Sequence, residues 1–96
     1  MRKAYVLLFS DNTGGRDVIR QWLKTDKAVL HWRYDLPHCF YIISEATAAD
    51  LSLSLGRHLK RKGRFLIMET SDNRQGWLPS ETWYLLRHKQ HKPKAS

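Results

Sequence analysis

The sequence predicts an α+β domain with a four-stranded antiparallel sheet, and three observations lead to this fold class. Two short apolar runs, residues 5–9 and 39–43, contain no polar residue and are too short for buried helices. Two longer segments, starting near residues 16 and 48, have apolar residues at helical spacing. Two further short segments have the composition of edge strands. A chain of 96 residues, 42% of them apolar, can build one such domain around a single core.

The first apolar run is followed by turn-forming residues 10–15 and then by an amphipathic helix predicted over residues 16–27. The apolar residues of this helix share one arc: Val18, Ile19, Trp22 and Leu23. Its cationic residues share a neighbouring ridge: Arg16, Arg20, Lys24 and Lys27. An edge strand over residues 29–34 then turns through residues 35–38 into the second apolar run, which predicts a β-hairpin.

Thr47 is placed to cap a second helix, because its hydroxyl can accept a hydrogen bond from the amide of Asp50. The predicted core stripe of this helix is Ala48, Leu51, Leu55 and Leu59. Basic residues near its end suit the negative end of the helix dipole, and Gly63 is the predicted left-handed cap. Residues 64–69 form the fourth strand, at the other edge of the sheet.

The resulting order of elements is β-α-β-β-α-β. Right-handed crossovers place the two apolar strands at the centre of the sheet, in the strand order 4-1-3-2, with both helices on one face. This is the ferredoxin-like arrangement. Central strands that are apolar on both sides also need a cover on the second face. We expect either a partner subunit or the apolar segment 77–86 to supply it, and a short helix is favoured over a fifth strand for that segment.

The organisation predicted is a single domain over residues 1–88 followed by a disordered basic tail over residues 89–96, which has few apolar residues. Cys39 lies within an apolar run, so we expect it to be buried and reduced, as in a cytoplasmic protein. The apolar stretch near the N-terminus is too short for a signal sequence or a membrane span, and no membrane partner is expected.

The charge of the chain favours a polyanionic partner. Its 17 Lys and Arg residues exceed its nine Asp and Glu residues and give a net charge of +8, which suits DNA or RNA. The candidate nucleic-acid-binding residues are Arg16, Arg20, Lys24, Lys27, Arg57, Lys60 and Arg61. The same residues also suit a solvated helix surface on a protein-interaction or structural module without nucleic-acid binding. Stacking of nucleic-acid bases on the aromatic residues of the strands is disfavoured, because the runs 5–9 and 39–43 are too apolar for a solvent-exposed face of the sheet.

Four segments together resemble the Cas2-like family, the second family of CRISPR-associated proteins, and its small SinR-like relatives. They are the first strand ending in Asp11, the basic helix containing Trp22, the hairpin over residues 31–43 and the closing stretch over residues 69–83. The resemblance covers residues 4–87 in order and pattern. It implies a ferredoxin-like subunit of a prokaryotic cytosol that forms a homodimer through the open face of its sheet.

In the nuclease members of that family an acidic residue ends the first strand, and Asp11 is the matching position. The resemblance implies that two such carboxylates, one per subunit, share Mg²⁺ or Mn²⁺ and ready a water for attack on a phosphate. This chain has Ser10 where a Tyr commonly precedes the Asp. An Asp shortly before Gly14 and Gly15 is also typical of a turn residue.

We therefore expect a small, basic, nucleic-acid-associated protein of Cas2-like type, non-catalytic and dimeric. A metal-dependent nuclease using Asp11 and a protein-interaction module are the alternatives.

Overall fold

The computed structural model describes residues 1–93, and its elements follow the predicted order, including the short helix expected near the C-terminus. The strands are β1 (Lys3–Phe9), β2 (Val29–Arg33), β3 (Cys39–Ser44) and β4 (Phe65–Glu69). The helices are α1 (Arg16–Thr25), α2 (Ala48–His58) and α3 (Ser80–His88), and a 3₁₀ turn, Asp11–Thr13, joins β1 to α1. No helix within residues 1–93 has both the length and the apolar character needed to cross a bilayer.

The four strands form one antiparallel sheet in the order β2-β3-β1-β4. Read from its other edge, this is the order 4-1-3-2, so the prediction of the sheet and of its central strands is confirmed. In the centre, Leu7 of β1 lies opposite Phe40 of β3. All six residues of β3 are buried, as expected for a strand that is covered on both sides.

Helices α1 and α2 cover one face of the sheet. Alternate residues of β1 point into this layer, and together with the helices they form the larger core cluster: Tyr5, Leu7, Phe9, Ile19, Trp22, Leu23, Phe40, Ile42, Leu51, Leu55, Leu59 and Ile67. The predicted stripes of both helices are found in this core, with one exception. Val18 is 36% exposed, because it lies at the rim of the apolar arc of α1.

The predicted start of α2 is confirmed, and its predicted cap is wrong. The hydroxyl of Thr47 accepts a hydrogen bond from the amide of Asp50 (3.1 Å). The helix ends at His58, well before Gly63, and Lys60 and Arg61 take the left-handed conformation instead. Gly63 is also left-handed (φ +77°), but it serves a close backbone contact that is described below.

Helix α3 covers the second face of the sheet from within the same chain. It packs along β3 and over the first half of β1 in a second core cluster: Ala4, Cys39, Tyr41, Ile43, Leu85 and Leu86. The expectation of a short helix in segment 77–86 is thereby confirmed, and so is the burial of Cys39. Burial raises the pKa of the Cys39 thiol and raises the pKa of Tyr41 to about 12.

A polar network fixes the first turn of α3 to the hairpin of β2 and β3. Thr82 is fully buried, and its hydroxyl accepts a hydrogen bond from Nε of Arg33 (2.6 Å) and donates one to the carboxylate of Asp35. The guanidinium of Arg33 also lies 3.4 Å from Asp35 and 3.8 Å from Glu81. Because a buried hydroxyl is costly unless it is paired, this network specifies where the helix docks.

The cover given by α3 is incomplete towards β4. Leu8, Leu66 and Met68 lie on the same face as α3, and their side chains are 40%, 52% and 48% exposed. Trp77, in the loop before α3, is 99% exposed. The second face of the sheet is therefore shielded from solvent under α3 and exposed to solvent beside β4.

We expect Leu85→Ala to lower the free energy of unfolding by about 2–5 kcal/mol, because it leaves a cavity between α3 and the sheet. Leu53→Ala is the matched control. Leu53 is 61% exposed on α2, so its truncation should change stability by less than about 0.5 kcal/mol. Urea unfolding followed by circular dichroism measures both values. Equal stabilities of the two variants would contradict the docking of α3.

The predicted tail, residues 89–96, lies partly outside the described residues. Within them, the ring of His91 contacts that of His31 on β2 edge-on, with 4.9 Å between ring centroids. Burial lowers the pKa of His31 below its ordinary value, and the neighbouring His91 and Arg2 lower it further.

This shift predicts how stability depends on pH. A His whose pKa is lowered by folding binds its proton more tightly in the unfolded chain. The unfolded state is therefore stabilised relative to the folded state as pH falls below the ordinary pKa of about 6.5. We expect the wild type to lose more stability than His31→Gln between about pH 7.5 and 5.5. The measurement is urea unfolding of both proteins at both pH values. A larger loss in His31→Gln would contradict the shift.

Candidate nucleic-acid interface

One end of the sheet gathers most of the residues that the sequence predicts for function. β1 ends there, β3 and β4 begin there, and two backbone hydrogen bonds tie the three strands together. The amide of Phe9 donates to the carbonyl of His38 (3.1 Å), and the amide of Ser10 donates to the carbonyl of Arg64 (2.9 Å). We call this end, formed by residues 10–16, 34–38 and 57–64 together with Arg20 beside Tyr34, the strand-end edge.

Asp11 lies at the strand-end edge, directly after β1, and its carboxylate is paired with a histidine. Its Oδ1 atom is 2.5 Å from Nε2 of His38, and the two side chains are 83% and 49% exposed. His38 has a left-handed backbone (φ +60°) and packs its ring against that of Phe9, with 5.5 Å between centroids. The pair therefore links the turn after β1 to the hairpin before β3.

The residues of a single chain do not fit a divalent cation at Asp11. Mg²⁺ and Mn²⁺ take several oxygen ligands. Within residues 1–93 no group of three or more His, Cys, Asp and Glu side chains is close enough to hold an ion. Asp11 offers one carboxylate, and His38 already contacts one of its oxygens. A shared metal would need a carboxylate from a second chain.

Arg16 and Arg20, one turn apart on α1, both lie against the ring of Tyr34. Their guanidinium carbons are 4.6 and 5.2 Å from the ring centroid, and Arg20 also donates to the hydroxyl of Tyr34 (3.0 Å). Tyr34 is held in turn by edge-on contact with Phe40, with 5.5 Å between centroids. Cation–π contacts of this kind orient a guanidinium without neutralising its charge.

The side chains of the two arginines are only partly exposed. Their Nε atoms are buried, have no hydrogen-bond partner among the described residues and are not accessible to a ligand in this conformation. Arg20 lies 3.8 Å from Asp17, an exposed carboxylate, and in residues 1–93 no acidic side chain lies within 4 Å of Arg16. Two oriented and partly exposed cations suit an anionic ligand such as a phosphate.

The other half of the predicted ridge lies away from this pair. Lys24 is exposed in the last turn of α1, at the opposite end of the helix from Arg16. Lys27 lies outside the helix, so its prediction as a helical residue is wrong. The helix stops at Thr25 because Asp26 adopts an extended backbone and its carboxylate accepts from the amide of Ala28 (2.8 Å).

The basic end of α2 lies at the same end of the molecule as Arg16. Arg57 is exposed in the last turn of α2, and Lys60 and Arg61 are exposed in the turn that follows. Two contacts place this segment. The ring of His58 donates from Nε2 to the carbonyl of Val18 on α1 (2.9 Å). Gly63 packs so closely on the turn after β1 that an added Cβ would stand 2.5 Å from the amide nitrogen of Thr13.

The structure thus brings Asp11, Arg16 and the basic end of α2 together at the strand-end edge. Sequence reasoning did not identify Tyr34 as the support for the two arginines or His38 as the partner of Asp11. A signal for His38 was present, because an antiparallel pair of β1 and β3 must bring the start of β3 beside the end of β1. No comparable pattern marks Tyr34.

Comparison with known proteins gives no match: no family model, curated protein or solved structure is significantly similar to this chain.

The close contact at Gly63 makes a prediction about the strand-end edge. Gly63→Ala should lower the free energy of unfolding by about 1–3 kcal/mol, because it combines a left-handed backbone with a clash against Thr13. Gly56→Ala is the matched control. Gly56 lies inside α2 with open space around it, so alanine there should raise stability by about 0.5–1 kcal/mol. Thermal or urea unfolding separates the two signs, and a Gly63→Ala protein as stable as wild type would exclude the close packing.

Proposed function

We propose that this protein is a small nucleic-acid-binding protein of Cas2-like type, which contacts phosphates through the strand-end edge and does not use Asp11 for catalysis. The four-stranded sheet, its strand order and the two helices on one face support a ferredoxin-like assignment. We place its activity in the cytoplasm, on the grounds of the buried, unpaired Cys39.

The observation that carries the proposal is the arrangement of Arg16 and Arg20 on Tyr34. A lysine or arginine on a mobile side chain loses conformational freedom when it binds a phosphate. Here both guanidiniums are already held by the ring, and both side chains remain partly exposed to solvent. The exposed cations at the end of α2 extend this positive surface along the same end of the molecule: Arg57, Lys60 and Arg61.

The proposed role of Asp11 is structural. Its pairing with His38 joins two loops of the strand-end edge, and its negative charge offsets part of the repulsion among the surrounding cations. Neither effect requires a metal ion.

The proposal includes a homodimer. Its interface would be smaller than one formed by a fully uncovered face of the sheet. Helix α3 occupies the middle of that face, so a second copy is left the exposed strip beside β4, formed by Leu8, Leu66 and Met68. Apolar side chains grouped on one side of a strand pair are a common feature of interaction surfaces. Mass measurement in solution tests this part separately.

Charge reversal tests the binding surface. We expect Arg16→Glu/Arg20→Glu to weaken binding to single- or double-stranded DNA or RNA by about tenfold or more, and to flatten the salt dependence by about two phosphate contacts. Arg2→Glu/Lys3→Glu is the matched control, because it changes the net charge equally at the opposite end of β1 and should leave most of the affinity. Fluorescence polarisation at about 50 and 200 mM salt measures both.

Equal losses in the two double variants would show that binding follows net charge alone and would contradict the proposed surface. No salt-sensitive binding by the wild type would favour a protein-interaction module.

The same samples test the nuclease alternative. Cleavage of the nucleic acid that requires Mg²⁺ or Mn²⁺ and disappears in Asp11→Ala would establish it and would overturn the structural role of Asp11. Under the present proposal, Asp11→Ala lowers the stability of the protein, and neither the wild type nor the variant cleaves nucleic acid.

A further inference from the structure

A cleft lies on the face of the sheet that α3 covers, between α3 and the loop that precedes it. The cleft has a volume of about 690 Å³, within the size range of small-molecule sites. Its lining comes from the loop around Arg74 and from one side of α3. It shares no residue with the strand-end edge.

Two adjacent aromatic residues of α3 line this cleft. Trp83 is half-buried: part of it packs on the core cluster beneath α3, and another part lines the cleft. Tyr84 is also half-buried, and its ring is held against that of His88, with 4.2 Å between centroids. Supported aromatic side chains at a cleft offer surfaces on which a flat ring can stack at little entropic cost.

The charged residues of the cleft are mainly cationic. Arg74, Arg87 and Lys92 line it together with a single carboxylate, that of Asp72. Arg74 is fixed by donation to the carbonyl of Ser71 (2.6 Å) and lies 3.6 Å from Asp72. Arg87 is exposed, and within residues 1–93 no acidic side chain lies within 4 Å of it. The cleft therefore joins aromatic surface to an excess of positive charge.

We propose that this cleft is a nucleotide-binding site, in which the base contacts Trp83 and Tyr84 and the phosphate contacts Arg87, with Lys92 and Arg74 beside it. A nucleotide combines the two properties that the lining complements, a flat aromatic ring and a group with up to two negative charges. The ligand is either a free nucleotide or the terminal nucleotide of a single strand. The inference does not depend on nucleic-acid binding at the strand-end edge.

Titration calorimetry with AMP, adenosine and inorganic phosphate tests the site. We expect AMP to bind at least about tenfold more tightly than either fragment, because the base and the phosphate each make a contact. Tyr84→Ala and Arg87→Gln should each weaken AMP binding about tenfold, whereas Tyr84→Phe, which keeps the ring, should retain it. Lys24→Gln, at an exposed lysine of α1 outside the cleft, is the control for lost charge. Circular dichroism checks that each variant is folded.

Three results would overturn the site: no saturable AMP binding, equal affinity for AMP and its fragments, or AMP binding that neither Tyr84→Ala nor Arg87→Gln changes.

The Arg16→Glu/Arg20→Glu protein separates the two proposals, since it should keep its AMP affinity whatever happens to its polynucleotide binding. In that background, a 5′-phosphorylated oligonucleotide that binds more tightly than AMP and depends on Arg87 identifies a strand end as ligand. Otherwise, the ligand is the free nucleotide.

Discussion

The structure depends on one constraint: β1 and β3 carry apolar side chains on both faces, and most of each face must be covered. Helices α1 and α2 satisfy this on one side, where they enclose Leu7 and Phe40. On the other side the chain returns across the sheet after β4 and lays α3 over Tyr41 and Ile43. Each large apolar side chain buried in this way contributes about 1.5–3 kcal/mol, so the second layer is a substantial part of the stability.

The same return of the chain separates two surfaces of different chemistry. Three loops, residues 10–15, 34–38 and 59–64, meet at the strand-end edge, where cations predominate around Asp11. The loop that carries the chain across the second face leaves a cleft against α3, with aromatic and basic walls. The network of Arg33, Thr82 and Asp35 connects these regions, because it fixes the start of α3 to the hairpin that also carries Tyr34 and His38.

Most of the fold could be predicted from the sequence, because it follows from short-range patterns. Unbroken apolar runs identified the central strands, helical spacing identified α1 and α2, and Thr47 marked the start of α2. The choice between a partner subunit and α3 as the cover could not be made, since apolar composition does not say which chain supplies the second layer. The ends of α1 and α2 were misjudged for a local reason: Asp26, Lys60 and Arg61 leave the helical conformation in turns whose hydrogen bonds join residues close in sequence, Asp26 to Ala28 and Arg61 to Gly56.

The sequence indicated which types of residue form the candidate site, but it did not indicate how those residues are arranged. Sequence reasoning grouped Arg16, Arg20, Lys24 and Lys27 by helical angle, whereas the structure distinguishes them by what lies beside them. Tyr34 orients the first two, and no ring orients Lys24 or Lys27 among the described residues. Like charges one turn apart repel each other, and a shared aromatic face offsets part of that cost. An anion bound between Arg16 and Arg20 would reduce the repulsion that remains, and the entropic cost of binding would be small because the ring already holds both side chains.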